Sequence, residues 1–111
     1  MPKRDYLSEF ELMVLLAVMR LGDEAYGVPI SQEIEQQSGR EVAVGSVYAT
    51  LDRLEEKDLV RSAFGEPTPQ RGGRAKKYFR VTRSGLREAR DARNALLNLW
   101  KGLRELEGER A

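Results

Sequence analysis

The stretch VGSVYATLDRLEEKDLVRS, residues 44–62, decides the fold because its pattern changes abruptly from helical to extended. Its first part repeats large apolar side chains at helical spacing, at Val47, Tyr48, Leu51, Leu54 and Leu59. From Val60 onward the pattern is that of a strand. The side of the helix without leucines carries Ser46, Ala49, Thr50 and Arg53. A short polar and arginine face directly before a strand indicates a surface that meets a partner.

The composition indicates one globular domain without catalytic or metal-binding chemistry. Of the 111 residues, 41% are hydrophobic and 33% charged. The chain has neither Cys nor His, which removes disulfides, thiolate and imidazole metal ligands, and the commonest general base. Acids that stand one or two positions apart, Glu55 with Glu56 and Glu33 with Glu35, do not face each other on a helix. We therefore expect no enzymatic activity and no cofactor.

The sequence predicts a cytoplasmic protein that does not associate with a membrane. Its longest apolar run, LMVLLAVM at 12–19, is much shorter than the roughly 20 residues that a membrane span needs. The N-terminal MPKRDYLSEFE carries acids where an export signal needs an uninterrupted apolar region.

Positive charge is concentrated in one segment, although the net charge of the chain is only +1. Residues 71–90 contain eight basic residues and a single acid, a net charge of +7, which leaves −6 for the rest of the chain. Such a distribution favours a polyanion that is met on one side of the protein. An ordinary solvated surface is the alternative interpretation of this charge.

Local signals predict three helices before the strands. The first runs from Phe10 to Leu21 and begins with a capping box of Ser8 and Glu11. It is apolar nearly all the way round, which we interpret as burial on two sides, one of them by a second subunit. The second helix is predicted at about Val28–Gln37 and the third at about Val44–Asp58.

The second half of the chain reads as a hairpin followed by a long helix. Two strands are predicted at 59–64 and 76–82, joined by a loop rich in glycine and proline. The last helix is predicted from Arg83 to about Gly108. It carries a heptad seam of Ala89, Ala92, Leu96, Leu99, Leu103 and Leu106. We interpret it as a dimerisation helix; folding back onto its own core is the alternative.

Three helices followed by a hairpin predict a mainly α protein with a small β-hairpin, namely a winged helix-turn-helix domain over residues 1–82 and a C-terminal dimerisation helix over 83–111. The major groove of DNA admits one helix, so the third helix is the predicted reading element and double-stranded DNA the partner. The predicted DNA contacts are Ser46, Tyr48, Thr50 and Arg53 on the helix and Arg71, Arg74, Lys76 and Lys77 on the wing. A core position for Tyr48, and ordinary exposed positions for Thr50 and Arg53, remain alternatives.

Three segments resemble signature segments of the PadR family of bacterial transcriptional regulators, and the resemblance covers about Phe10 to Leu106. They are EAYGVPI at 24–30, GSVYATLDRLEEKDLV at 45–60 and GGRAKKYFRVTRSG at 72–85. The short last helix is similar to the smaller branch of that family. The resemblance implies a homodimeric repressor whose last helix packs against the partner's first and last helices. Dimerisation in turn predicts a two-fold symmetric operator. Two positions depart from the family pattern, Ala49 where many relatives have proline and Ala43 where a capping serine is common.

The resemblance also implies control by a small, flat, frequently aromatic effector at the dimer interface. Leu96 and Trp100 are the residues assigned to such a site, and a packed interface tryptophan is the alternative. For the whole chain, the alternative to a DNA-binding regulator is a winged-helix module that binds protein through its basic wing.

Overall fold

A computed structural model of the protein describes residues 5–66 and 75–107. Its elements, in chain order, are α1 (Glu9–Leu21), a 3₁₀ turn (Gly22–Glu24), α2 (Gly27–Ser38), α3 (Val44–Glu56), β1 (Val60–Phe64), β2 (Lys77–Val81), α4 (Arg83–Trp100) and α5 (Arg104–Glu107). The first three helices and both strands lie within two residues of their predicted limits. None of the helices in these ranges is long and apolar enough to cross a membrane.

The predicted capping box at the start of α1 is confirmed. The backbone N–H of Glu11 donates to Ser8 Oγ at 3.1 Å, and the backbone N–H of Ser8 donates to Glu11 Oε1 at 2.8 Å. At the end of α2, Gly39 adopts the left-handed conformation with φ 74°, which glycine accommodates without a steric penalty. Local sequence signals therefore set both boundaries.

The core forms where α3 packs against α1 and α2. Its fully buried large side chains come from all three helices and from β1: Val14, Leu15, Ile30, Val47, Leu51, Leu54 and Val60. Each such leucine contributes about 1.5–3 kcal/mol relative to an exposed side chain. The apolar face of α3 is therefore directed inward and its polar face outward.

The connection between α2 and α3 is held by two hydrogen bonds at Val42. Ser31 Oγ donates to the Val42 carbonyl at 2.8 Å, and the Val42 N–H donates to Glu35 Oε2 at 3.1 Å. Because both bonds come from α2, they fix where α3 begins. They also satisfy the buried hydroxyl of Ser31, which would otherwise be costly.

The hairpin pairs β1 with β2 in antiparallel register, with Val60 opposite Val81 and Phe64 opposite Lys77. The Phe79 N–H donates to the Ala25 carbonyl at 2.8 Å, which ties β2 to the segment before α2. Three helices with an attached two-stranded wing make a winged helix-turn-helix, which confirms the predicted mainly α fold with a small hairpin.

The prediction of one continuous last helix from Arg83 to about Gly108 is wrong. Thr82 Oγ1 accepts the Gly85 N–H at 3.0 Å and caps α4 as expected, but α4 ends at Trp100. Gly102 then adopts φ 78°, a conformation that no residue within an α-helix has, and α5 follows as a separate turn. Of the predicted heptad seam, Leu103 and Leu106 therefore lie beyond α4.

We expect Gly85→Ala to destabilise the protein by about 1–3 kcal/mol, the usual range for overpacking. An added Cβ would collide with the Leu59 carbonyl oxygen and lie 2.7 Å from Val81 Cγ1. The Leu59 carbonyl cannot move freely because it accepts the Thr82 N–H at 3.0 Å. Urea unfolding monitored by circular dichroism measures the change.

Gly45→Ala is the matched control, because this glycine is also helical and a Cβ there meets nothing within 4 Å. We expect no loss of stability in this variant. Equal unfolding midpoints for the two variants would contradict the packing assigned to Gly85.

Candidate nucleic-acid interface

The outer face of α3 carries exposed polar side chains in its first three turns. Ser46 lies in the first turn and is exposed. Tyr48 is 40% exposed, and the side chain of Arg53 is 53% exposed. Ala43, the residue before the helix, makes no side-chain capping bond to the first-turn amides. These amides and the neighbouring hydroxyl and guanidinium are groups that bind phosphates and base edges.

Tyr48 combines a packing role with an exposed edge. Its ring lies directly against Gly27, the first residue of α2, so closely that a Cβ at that position would overlap the ring. A larger residue at position 27 would therefore require the Tyr48 ring to move. Neither of the two interpretations of Tyr48 from the sequence describes it fully, since the ring packs on α2 and 40% of the residue remains exposed.

Thr50 does not have the position that a base contact requires, and the structure corrects its assignment as one. The residue is only 2% exposed, and its Oγ1 accepts a hydrogen bond from Arg53 Nη2 at 3.2 Å. The sequence contains the signal for this, because Thr50 follows Val47 by three residues and precedes Leu54 by four, within the apolar stripe of the helix. Thr50 therefore orients Arg53 from beneath.

The root of the wing presents two lysines. Lys76 Nζ donates to the Tyr26 hydroxyl at 3.1 Å and lies 4.3 Å from the centre of the same ring. Tyr26 in turn meets the edge of Tyr78, with ring centres 5.4 Å apart. Lys77 Nζ lies 3.9 Å from Glu55 Oε1 of α3. Arg71 and Arg74, the predicted contacts at the tip of the wing, lie outside the described residues.

A buried acid, Glu11, connects α1 to α3. The sequence predicted only its role in the capping box of α1. The Glu11 side chain is 6% exposed, and its Oε2 accepts a hydrogen bond from Lys57 Nζ at 3.0 Å. The same oxygen lies 3.8 Å from Arg53 Nε. Lys57 Nζ also pairs with Asp5 at 3.1 Å. No local signal reports these contacts, because Glu11 and Lys57 are 46 residues apart in the chain.

The protonation of this cluster follows from two opposing effects. Burial alone would raise the pKa of Glu11, but hydrogen bonds from the Ser8 N–H and the Lys57 ammonium outweigh it and hold the pKa below its usual range. Burial would likewise lower the pKa of Lys57, but its hydrogen bonds to Glu11 and Asp5 raise that pKa. Both groups are therefore charged at neutral pH.

The two residues assigned to an effector lie on α4, remote in sequence from α3. Leu96 and Trp100 are both more than half exposed, and their neighbours Leu97, Leu99 and Leu103 are exposed as well. They form an apolar surface of α4 and of the turn that follows it.

The fold and this surface define a winged-helix protein with a polar face on α3, and comparison with known proteins identifies its family. Residues 15–91 match the sequence model of the Transcriptional regulator PadR-like family. The chain belongs to this family, which confirms the resemblance seen in the sequence. Members of the family are transcriptional regulators and not enzymes, in agreement with the expectation from composition.

Individual proteins are similar to this chain in sequence or in fold. The chain is 33% identical over 67 residues to an uncharacterized protein of Lysinibacillus sphaericus, a match that covers 59% of this chain and 59% of the length of that relative. A transcriptional regulator from Clostridium thermocellum has a similar fold, with a TM-score of 0.70 and 21% identity over 86% of this chain and 90% of that one. A PadR family regulator from Eggerthella lenta gives a TM-score of 0.67 and 25% identity over 92% of this chain and 88% of that one.

We expect acid to remove the stabilisation that Glu11 provides. A carboxyl group whose pKa is lowered by folding stabilises the folded state above its ordinary pKa, 4.5 for Glu11, and loses this effect as the pH falls through the lowered value. The difference in free energy of unfolding between wild type and Glu11→Gln should therefore be largest near neutral pH and shrink below about pH 4. Urea titrations from pH 7 to 3 measure it.

Glu9→Gln is the control for this experiment. The pKa of Glu9 is also lowered, by its hydrogen bond with Arg40, but this pair lies on the surface. Surface pairs are screened by salt, so we expect a small effect that disappears at high ionic strength. An equal pH dependence in both variants would contradict a special role of the buried carboxylate.

Proposed function

We propose that the protein is a sequence-specific DNA-binding transcriptional regulator that inserts α3 into the major groove and lays its wing along the DNA backbone. One observation carries this proposal, a continuous series of contacts from the outer face of α3 to the wing. Tyr48 lies on Gly27, the adjacent Tyr26 accepts a hydrogen bond from Lys76, and Lys76 precedes β2. Tyr48 of α3 and Lys76 of the wing are therefore linked through Tyr26 and Gly27 at the start of α2.

The groups on this surface suit two different kinds of DNA contact. Arg53 has the planar fork of donors that pairs with a guanine edge, and Ser46 and Tyr48 supply hydroxyl groups. Lys76 and Lys77 are compact charges suited to phosphates. Arg71 and Arg74 complete the proposed set at the tip of the wing. Thr50 is omitted from it because its side chain is buried.

A homodimer is the second part of the proposal. The apolar residues of α4 and the adjoining turn are exposed, with Leu99 at 75%. On α1, Leu16 is 46% exposed and borders an open groove of about 400 Å³ between α1 and α2. Exposed apolar surface on two elements of one chain is what a second copy would cover. This supports the interpretation of α1 as a helix buried on two sides.

The proposed two-fold dimer predicts the symmetry and the half-site spacing of the operator. Two copies of α3 related by a two-fold axis would read a palindrome whose half-sites are about one helical turn, or 34–36 Å, apart. Occupancy of such a site near a promoter represses transcription without any further surface. A flat aromatic effector that stacks on Trp100 and Leu96 at the dimer interface would then release the DNA, and the exposure of both residues supports this part of the proposal.

We expect the affinity for DNA to fall steeply with salt, and less steeply once the wing lysines are removed. In Lys76→Ala plus Lys77→Ala, the slope of log affinity against log salt should decrease by up to about 0.9 for each phosphate that the protein no longer neutralises. The probe is a duplex that the wild-type protein selects from a random-sequence pool, and fluorescence anisotropy between 50 and 300 mM salt measures the slope.

Arg93→Ala plus Lys101→Ala removes the same charge from α4 and from the residue that follows it, and serves as the control. We expect it to keep the wild-type slope. Equal slopes in all three proteins would refute the wing assignment. A wild-type protein that selects no sequence and shows no salt-dependent binding would instead favour the alternative, a winged-helix module that binds protein.

Leu99→Lys should convert the dimer to monomers, because it places a charge in the apolar surface of α4. We expect the dissociation constant of the dimer to rise about 100-fold or more, since an unpaired charge in an interface is costly. Sedimentation velocity over a range of micromolar concentrations measures it. Asn94→Lys adds the same charge on the opposite side of the helix and should leave the dimer intact. Dimers that persist in Leu99→Lys would show that α4 does not form the interface.

A further inference from the structure

The carboxylate of Glu11 makes more contacts than a helix cap requires. Its Oε1 closes the capping box with the Ser8 N–H, and this bond completes the requirement of α1. Its Oε2 faces α3, where it accepts the Lys57 ammonium at 3.0 Å and lies 3.8 Å from Arg53 Nε. The side chain is 94% buried in this position, since only 6% of it is exposed. A buried charge is retained where its partners hold it, and here both partners belong to the reading helix or to the residue that ends it.

Arg53 is held along one edge of its guanidinium. Nε faces Glu11 Oε2, and Nη2 donates to Thr50 Oγ1 at 3.2 Å. Two contacts on a planar group define its plane, and Nη1 takes part in neither of them. The side chain remains 53% exposed, which leaves part of it accessible to a partner. This is how a donor pair is presented to a base edge with its orientation already chosen.

Glu11 and Thr50 are themselves held in place by burial and hydrogen bonds, which allows them to orient a neighbour. Thr50 is 2% exposed in the stripe between Val47 and Leu54, and Glu11 is anchored by the Ser8 N–H and by Lys57. An arginine on a helix surface would otherwise lose rotamer freedom each time it bound a base. Supporting contacts from fixed groups remove part of that cost before binding.

We propose that Glu11 is a positioning residue for base recognition: with Thr50 it holds the Arg53 guanidinium in the orientation that reads a base pair, so that a residue of α1 sets the sequence preference of α3. The proposal rests on the proposed function, because it requires that α3 meets DNA. Glu11 itself touches no DNA. The competing explanation is that Glu11 only ties α1 to α3 and acts on stability alone.

Glu11→Gln separates the two explanations. The amide keeps the size of the side chain and an oxygen that accepts the Ser8 N–H, but it removes the charge that faces Arg53 and Lys57. The probes are the duplex that wild-type protein selects from a random-sequence pool and the same duplex with each base pair substituted in turn. We expect discrimination at the base pair read by Arg53 to fall about fivefold or more, as for a weakened arginine contact. The affinity for random-sequence duplex should change less than about twofold, because every phosphate contact remains in place.

A double-mutant cycle with Arg53→Ala shows whether Glu11 acts through this arginine. Arg53→Ala alone identifies the base pair, as the position where discrimination disappears. In that background Glu11→Gln should have no further effect on discrimination, since the group it positions is absent. A loss that persists in the Arg53→Ala background would overturn the proposal, as would unchanged discrimination in Glu11→Gln with wild-type Arg53.

Two further variants complete the test. Thr50→Val keeps the shape of the buried residue and removes the acceptor of Arg53 Nη2, so it should reduce discrimination at the same base pair. It also replaces Glu11→Gln as the deciding variant if that protein does not fold. Glu9→Gln removes a charge from the same turn of α1, but its partner is Arg40, so it should retain wild-type discrimination. A wild-type protein that selects no sequence would refute the proposed function itself, and this outcome is distinct because it appears before any variant is compared.

Discussion

The position of α3 depends on the burial of one apolar face, formed by Val47, Leu51 and Leu54. These side chains are fully buried against α1 and α2, and the period of 3.6 residues then directs the intervening positions outward. Because α3 is held over three turns, its exposed groups have a defined direction relative to the wing. A large rotation of the helix about its axis would expose one of these apolar side chains to water, which the hydrophobic effect opposes.

Polar contacts refine this arrangement without replacing it. Ser31 and Glu35 fix the start of α3 through Val42, and Glu11 engages its C-terminal end through Lys57. The described residues contain no buried side-chain polar atom without a hydrogen-bond partner. Helix α3 is therefore held at both ends by groups from α1 and α2, while its middle is held by apolar packing. A rigid helix of this kind is what a reproducible contact with DNA needs.

Local chemistry made most of the fold predictable. Three helix-boundary signals act within a few residues of each other and can therefore be recognised in the sequence. They are the capping box of Ser8 and Glu11, the N-terminal cap at Thr82 and the C-terminal stop at Gly39. The last helix was predicted too long because the heptad seam continues past Gly102, and an apolar repeat does not report the backbone angle of one glycine. The position of Thr50 could have been inferred from its place in the apolar stripe.

The candidate site likewise has one part that the sequence determined and another that only the tertiary structure decided. The sequence determined that α3 has polar side chains at Ser46, Tyr48 and Arg53 and that a basic segment follows it. The sequence also determined that the protein belongs to the PadR-like regulators. These features could be found because periodicity and motifs are properties of neighbouring residues. Only the tertiary structure decided that Glu11 lies under α3 and that Lys76 reaches Tyr26. The physical reason is distance along the chain: packing of the core brings these groups together, and no local pattern records which buried surfaces will meet.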